Sequence, residues 1–225
     1  MINLTADSKI RKGVRFGSAQ IVSRLLSRKQ YLAIARSYYR NRWSSRETSS
    51  FKPLDDPTKL AWINPRSIIR FTNRPGISCH SKISDIAKVK SGDWDLGGKR
   101  VKDTWIYKSF KNRFKKGVRW ENTEMYHRYC SRYSKRKAVE LCKDYDLLYS
   151  SIEGGGYKTQ FELFLDKKDP IRSFPYMLTN EITVDIGRNG NPLLVDSKHR
   201  AVIAQLLNIN RVPVFVLVRH KKYIH

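Results

Sequence analysis

Apolar residues recur at helical spacing between about Ser18 and Trp43: Ile21, Leu25, Leu32, Ala35, Tyr39 and Trp43, with Val22, Leu26 and Tyr31 beside them. Arg24, Arg28, Arg36, Arg40 and Arg42 fill much of the remainder, so the segment predicts a basic amphipathic helix. Ser44 to Thr58 is polar and contains Pro53 and Pro57, the signature of a linker. Lys59 to Phe71 predicts a short strand, a turn at Pro65 and a second apolar run, Ser67 to Phe71. Residues 72–82 read as loop, and Ile83 to Val89 as a strand or extended segment that ends at the acidic turn Gly92-Asp-Trp-Asp95.

The middle of the chain changes period. Ile106, Phe110 and Phe114 stand four residues apart among Lys and Arg, which predicts a helix from Trp105 to Gly117. Thr123 to Tyr133 and Ser134 to Tyr149 continue in the same style, and the last leads into Ile152-Glu-Gly-Gly-Gly-Tyr157. Glycines at a helix end supply a left-handed cap and let a ligand approach the backbone. Beyond them, Glu181–Ile186 and Pro192–Val195 predict two strands joined through Arg188-Asn-Gly190, since Asn-Gly is a preferred hairpin turn. The polar turn Asp196-Ser-Lys-His-Arg200 follows, then an apolar helix and the strand Val212-Pro-Val-Phe-Val-Leu-Val-Arg219.

Composition adds partners to this outline. The 225 residues carry 45 Lys+Arg against 20 Asp+Glu, a net charge of +25. A balance this basic favours polyanionic partners: nucleic acid, an anionic membrane surface or phosphorylated substrates. Residues 1–46 contain eleven Lys/Arg and a single acid, Asp7. That amphipathic segment suits a membrane surface, nucleic-acid phosphates, or packing of its apolar stripe on the protein's own core. Cys79, Cys130 and Cys142 form no C-x-x-C pair, which argues against a metal cluster or disulfide framework and suits a reducing, cytoplasmic compartment. No stretch is long and apolar enough for a transmembrane helix, and the first residues are not those of a signal peptide.

Candidate chemistry gathers in the turn at 196–200. A helix start binds anions, because its free N–H groups and positive end point at the ligand. Lys198 is a point charge suited to phosphate, and Arg200 can engage two oxygens at once. His199 can donate to phosphate or relay a proton, while Asp196 can activate a hydroxyl or hold Mg²⁺. Plain helix capping by Asp196 and Ser197, and a simple C-cap at Gly154, Gly155 and Gly156, are the alternatives. Asp93 and Asp95 are candidate metal ligands, or else parts of a structural turn with Trp94 in the core.

The order of a helix ending Leu148-Tyr-Ser-Ser-Ile-Glu-Gly-Gly-Gly-Tyr-Lys-Thr-Gln160, a strand, a Gly-Asn turn, a strand ending Leu194-Val-Asp-Ser-Lys-His-Arg200, a helix and a Val-Pro-Val strand resembles the ParB/sulfiredoxin superfamily. The resemblance covers roughly residues 145–220, and extends to Trp62 if Trp62-Ile-Asn-Pro-Arg-Ser-Ile68 is the family's first strand. The Gly-Asp-Trp-Asp turn and Trp120-Glu-Asn-Thr-Glu-Met-Tyr126 are similar to a group of uncharacterised archaeal ParB-like proteins. The resemblance implies an α+β fold, a small mixed sheet with helices, spanning 59–225, with a helical insertion at about 103–149. Residues 1–46 would be an added basic helix and 47–58 a linker.

Members of that superfamily bind CTP and DNA, reduce a sulfinic acid with ATP, or transfer a phosphoryl group from ADP or ATP to free serine; some are classed with the nucleases. The shared element is a nucleotide phosphate held by a His/Arg box at a helix start, here Ser197, Lys198, His199 and Arg200 after Asp196. Lys198 stands where sulfiredoxins need cysteine, which excludes their chemistry. The chain ends soon after the last strand, so a helix-turn-helix module is not expected. Ser197 replaces the glycine of the serine-kinase box. No acid lies near the first strand, so Glu153, or Asp93 and Asp95, would serve as base. The resemblance therefore implies a kinase-like phosphotransferase using ATP, ADP or CTP with Mg²⁺, at a membrane surface if residues 9–43 bind one. A nucleic-acid-binding protein or nuclease, and a non-catalytic nucleotide clamp, remain as alternatives.

Overall fold

A computed structural model describes residues 27–44, 56–166 and 173–223. Ile21, Val22, Leu25 and Leu26 of the amphipathic segment and most of the expected linker lie outside the described residues. The fold is α+β. Its elements in chain order are α1 (Arg28–Ser44), β1 (Ala61–Ile63), β2 (Arg70–Phe71), α2 (Cys79–Asp85), β3 (Lys88–Lys90), α3 (Trp105–Lys116), α4 (Glu124–Arg132), α5 (Lys135–Gly155), α6 (Gln160–Leu165), α7 (Phe174–Thr179), β4 (Ile182–Ile186), β5 (Pro192–Asp196), α8 (Lys198–Leu206) and β6 (Val212–His220).

The strands form one mixed sheet in the order β1-β6-β4-β5-β2. β6 is the hub. Its first residues pair antiparallel with β1, its last residues pair parallel with β3, and its other edge pairs parallel with β4. β4 and β5 make an antiparallel hairpin, with Thr183 opposite Asp196 at the open end and Ile186 opposite Pro192 near the turn.

Alternation along these strands builds two cores. Ile182, Val184, Leu194, Val212 and Val214 pack with α8 and the aromatic residues of the α3–α5 insertion. Leu193, Phe215, Leu217 and Val218 pack in a second cluster with Phe164, Phe174, Met177 and Leu178. α1 belongs to that second cluster. Tyr31 and Trp43 are buried, Leu32, Ala35 and Tyr39 partly so, and the Tyr39 ring stacks on Phe174 with centroids 5.8 Å apart. The described part of the apolar stripe, Tyr31 to Trp43, thus faces the protein's own core. Among the described residues no helix is long and apolar enough to cross a membrane.

Several expected boundaries move. Of the stretch expected as a strand or extended segment from Ile83 to Val89, the first residues close α2 and only the last belong to β3. α5 runs on past Tyr149 to Gly155, so Glu153 and Gly154 are helical; Gly156, at φ 73°, is the terminating residue. α6 and α7 fill a region in which the sequence pattern predicted no element.

Candidate functional site

β5 delivers Asp196 to the edge of the sheet, and the chain turns at Ser197 straight into α8. Ser197 has φ 57° and ψ 37°, the left-handed conformation that glycine adopts most easily. The tight turn is therefore made without a glycine. Ser197 does not cap α8 with its side chain; its Oγ donates to the Asn180 carbonyl at 2.9 Å. Asp196 does not cap the helix either, since its Oδ1 accepts from the Ser197 N–H at 2.7 Å. The capping alternative for these two residues is thereby set aside. The first N–H groups of α8 lack intrahelical acceptors, as in any α-helix, and among the described residues no side chain caps them.

Asp196 has a partner that sequence reasoning missed. Lys82 of α2, with 9% of its side chain exposed, reaches across to pair with Asp196 Oδ2, whose own side chain is 43% exposed. A buried charge network fixes the helix that carries Lys82. Asp85, one turn further along α2, pairs with Arg74, and Arg74 Nε donates to Asp185 on β4 at 2.8 Å. Lys90 joins Asp85 at 3.0 Å. Burial alone would raise the Asp85 pKa, yet Lys90 and Arg74 hold it below the usual carboxylate value; for Asp185 burial wins and the pKa rises. Nothing in the local sequence of α2 announces Lys82, because its partner is 114 residues away.

The remainder of the box diverges from the turn. Arg200 points inward: it donates to the Asn180 carbonyl, lies 3.2 Å from Glu181 Oε2 and stands over the Tyr157 ring at 5.1 Å. Glu181 is completely buried and also accepts the Gln160 N–H at the start of α6. Burial raises its pKa to about 7, against the lowering effect of Arg200 and that N–H. Glu181 is a second residue missed by the sequence pattern, which offered it only as the first position of a strand. His199 faces the opposite way, into the insertion. Its ring lies 4.6 Å from that of Tyr145 and 5.8 Å from that of Phe110, and its buried Nε2 has no hydrogen-bond partner. Burial, helped by the Lys198 charge, lowers its pKa to about 4, so it is a neutral packing residue. The expectation that Lys198, His199 and Arg200 converge on one phosphate is corrected here: successive residues of a helix point about 100° apart, and the aromatic insertion and Glu181 each claim one.

The other candidates are placed elsewhere. Glu153 is exposed on the last full turn of α5, and a Cβ on Gly154, Gly155 or Gly156 would meet nothing within 4 Å, so these glycines are not held by close packing. Asp95 accepts the Arg188 backbone N–H at 2.8 Å and the Arg188 guanidinium, and Asp93 takes the same guanidinium at 2.6 Å. Hydrogen bonds from Arg188 hold the Asp95 carboxyl down to about 2. These acids form a structural clamp with Trp94 buried beside it. Among the described residues no group of three His, Cys, Asp or Glu could hold a metal ion. Asp196, a single carboxylate already bonded through both oxygens, does not make a resident Mg²⁺ site.

No protein-family model, curated protein or solved structure was found to match the chain.

Proposed function

We propose that this chain binds a nucleotide through its phosphates at the turn between β5 and α8 and transfers a phosphoryl group from it. The observation that carries the reading is the half-exposed Asp196 held by Lys82 beside an uncapped helix start. Phosphoryl transfer asks mainly for positioning and neutralisation of charge, with one group to take the proton of the attacking hydroxyl. Free N–H groups of α8, Lys198 and Lys82 supply the first; Asp196 supplies the second. Arg200 and Glu181 act behind them, fixing Asn180 and through it Ser197. His199 takes no part in proton transfer. ATP, ADP and CTP all present the phosphates such a site would hold. The likeness to the ParB/sulfiredoxin superfamily supports the same reading, and we place the activity in the cytoplasm.

The test is turnover of ATP and ADP by the full chain with a panel of small hydroxyl acceptors. Asp196→Asn should abolish transfer while leaving nucleotide bound. Binding with no turnover in the wild-type chain would instead indicate a non-catalytic clamp, and absence of binding would remove the assignment.

A further inference from the structure

We propose that the outward face of α3 is a docking surface for the phosphate backbone of nucleic acid, independent of sequence and separate from the α8 turn. α3 contains no acidic residue. Ile106, Ser109 and Phe110 are buried, and Phe114 packs partly against the same core, which fixes the helix's orientation. Lys108, Lys111 and Lys115, at i, i+3 and i+7, then share the opposite face, and all three are exposed. Among the described residues none of them forms an ion pair. Lys116 and Arg119 continue the exposed cations past the end of the helix.

Neighbouring helices pair several of their cations, although Arg132, Lys135 and Lys143 there are exposed without an ion pair among the described residues. On α4, Arg128 pairs with Glu124, and on α5 both Arg136 and Lys137 pair with Glu140, the i,i+3 and i,i+4 arrangement of a solvated helix face. The one cation of α3 that does pair, Arg113, turns toward Asp146 of α5 and away from the stripe. Lys108 also stands in the first turn of α3, where the helix dipole disfavours a cation, so the stripe is not explained by stabilisation of the helix C-terminus.

The spacing suits a polyphosphate backbone. A rise of 1.5 Å per residue spreads Lys108 and Lys115 about 10.5 Å along the axis, long enough to meet more than one phosphate of a duplex, which carries a charge about every 1.7 Å of its axis. A membrane fits less well, because this face exposes no large apolar side chain to insert; Leu96 and Tyr133, the exposed large apolar groups nearest in sequence, lie outside α3.

The experiment is fluorescence anisotropy of the full chain with a labelled 30-base-pair DNA duplex and the matching RNA duplex, titrated across salt concentrations. The wild-type chain should bind with log K falling linearly against log salt. The triple variant K108Q/K111Q/K115Q should reduce that slope by about 2.7, at roughly 0.9 per lost phosphate contact. The control K135Q/R136Q/K137Q, on exposed residues whose cations are largely paired, should change it by less than about 1. Unchanged circular dichroism and melting temperature in both variants would establish that folding is intact. No binding by the wild-type chain, an α3 variant with the wild-type slope, or equal losses in the two variants would each overturn the proposal. So would α3-dependent binding to phosphatidylserine vesicles without binding to either duplex.

Discussion

The two ends of β5 carry carboxylates set against cations, and they behave in opposite ways. At the hairpin turn, Arg188 is enclosed by Asp95, Asp93 and the Gly92 carbonyl, and Asp95 is 4% exposed. At the open end, Asp196 has one cation, Lys82, and is 43% exposed beside an uncapped helix start. The first assembly bonds both oxygens of Asp95 to Arg188 and closes a loop. The second leaves a carboxylate and a lysine where a ligand can displace one from the other. Clustered acids in a basic protein thus mark a lock, while the lone acid at a helix start is the position proposed to react.

The largest expected effect breaks the closed end. Arg188→Ala leaves Asp95 without its counter-ion and should lower the urea-denaturation midpoint more than any other single change here. An unchanged midpoint would mean that the clamp is not structural.

Next in size are two opposing pH effects behind the open end. The folded Glu181 pKa is raised to about 7 from 4.5, so the folded state binds the extra proton between those values, and Glu181 makes stability fall as pH rises through that window. His199 is lowered to about 4 from 6.5, so the unfolded state binds the extra proton, and His199 makes stability fall as pH drops through 6.5 toward 4. Each contribution is at most roughly 3.5 kcal/mol, at about 1.4 kcal/mol per pH unit, and they offset each other between about pH 4.5 and 6.5. Glu181→Gln should therefore expose a steeper acid loss, and His199→Phe should reverse it into an acid gain. Denaturation midpoints across pH 4–7.5 that stay parallel in all three proteins would contradict both assignments.

The smallest effects separate the members of each pair. Asp93, whose side chain is 80% exposed, should cost less than about 0.5 kcal/mol as Asp93→Asn. Lys82→Met should cost about 1 kcal/mol, since its partner is half in water. A melting-temperature series would show whether Asp93 matters as much as Arg188, which would blur the distinction between the ends.

The hairpin was legible in the sequence because Asn-Gly and alternating apolar residues are local signals, and Gly190 indeed has φ 76°. The periods of α3 and α4 were legible for the same reason. The site was half legible. Asp196 and the start of α8 follow from one continuous stretch of chain, but Lys82 and Glu181 acquire their roles only through contacts set by the tertiary fold. His199 and Arg200 looked like ligands because a sequence displays residues side by side, whereas a helix turns them to opposite neighbours. α1 was ambiguous on its own, because an apolar stripe flanked by arginines fits a membrane as well as a core, and only Phe164 and Phe174 decide which it meets.

The most direct test of the α8 turn is titration calorimetry of ATP into the full chain and its Lys82→Met and Asp196→Asn variants. If the turn holds phosphate and Lys82 exchanges between Asp196 and the ligand, the wild-type chain binds saturably, Lys82→Met binds at least about tenfold more weakly, and Asp196→Asn binds more tightly. A purely structural ion pair would give losses of the same sign in both variants. That result, or no saturable binding by the wild-type chain, would contradict the account.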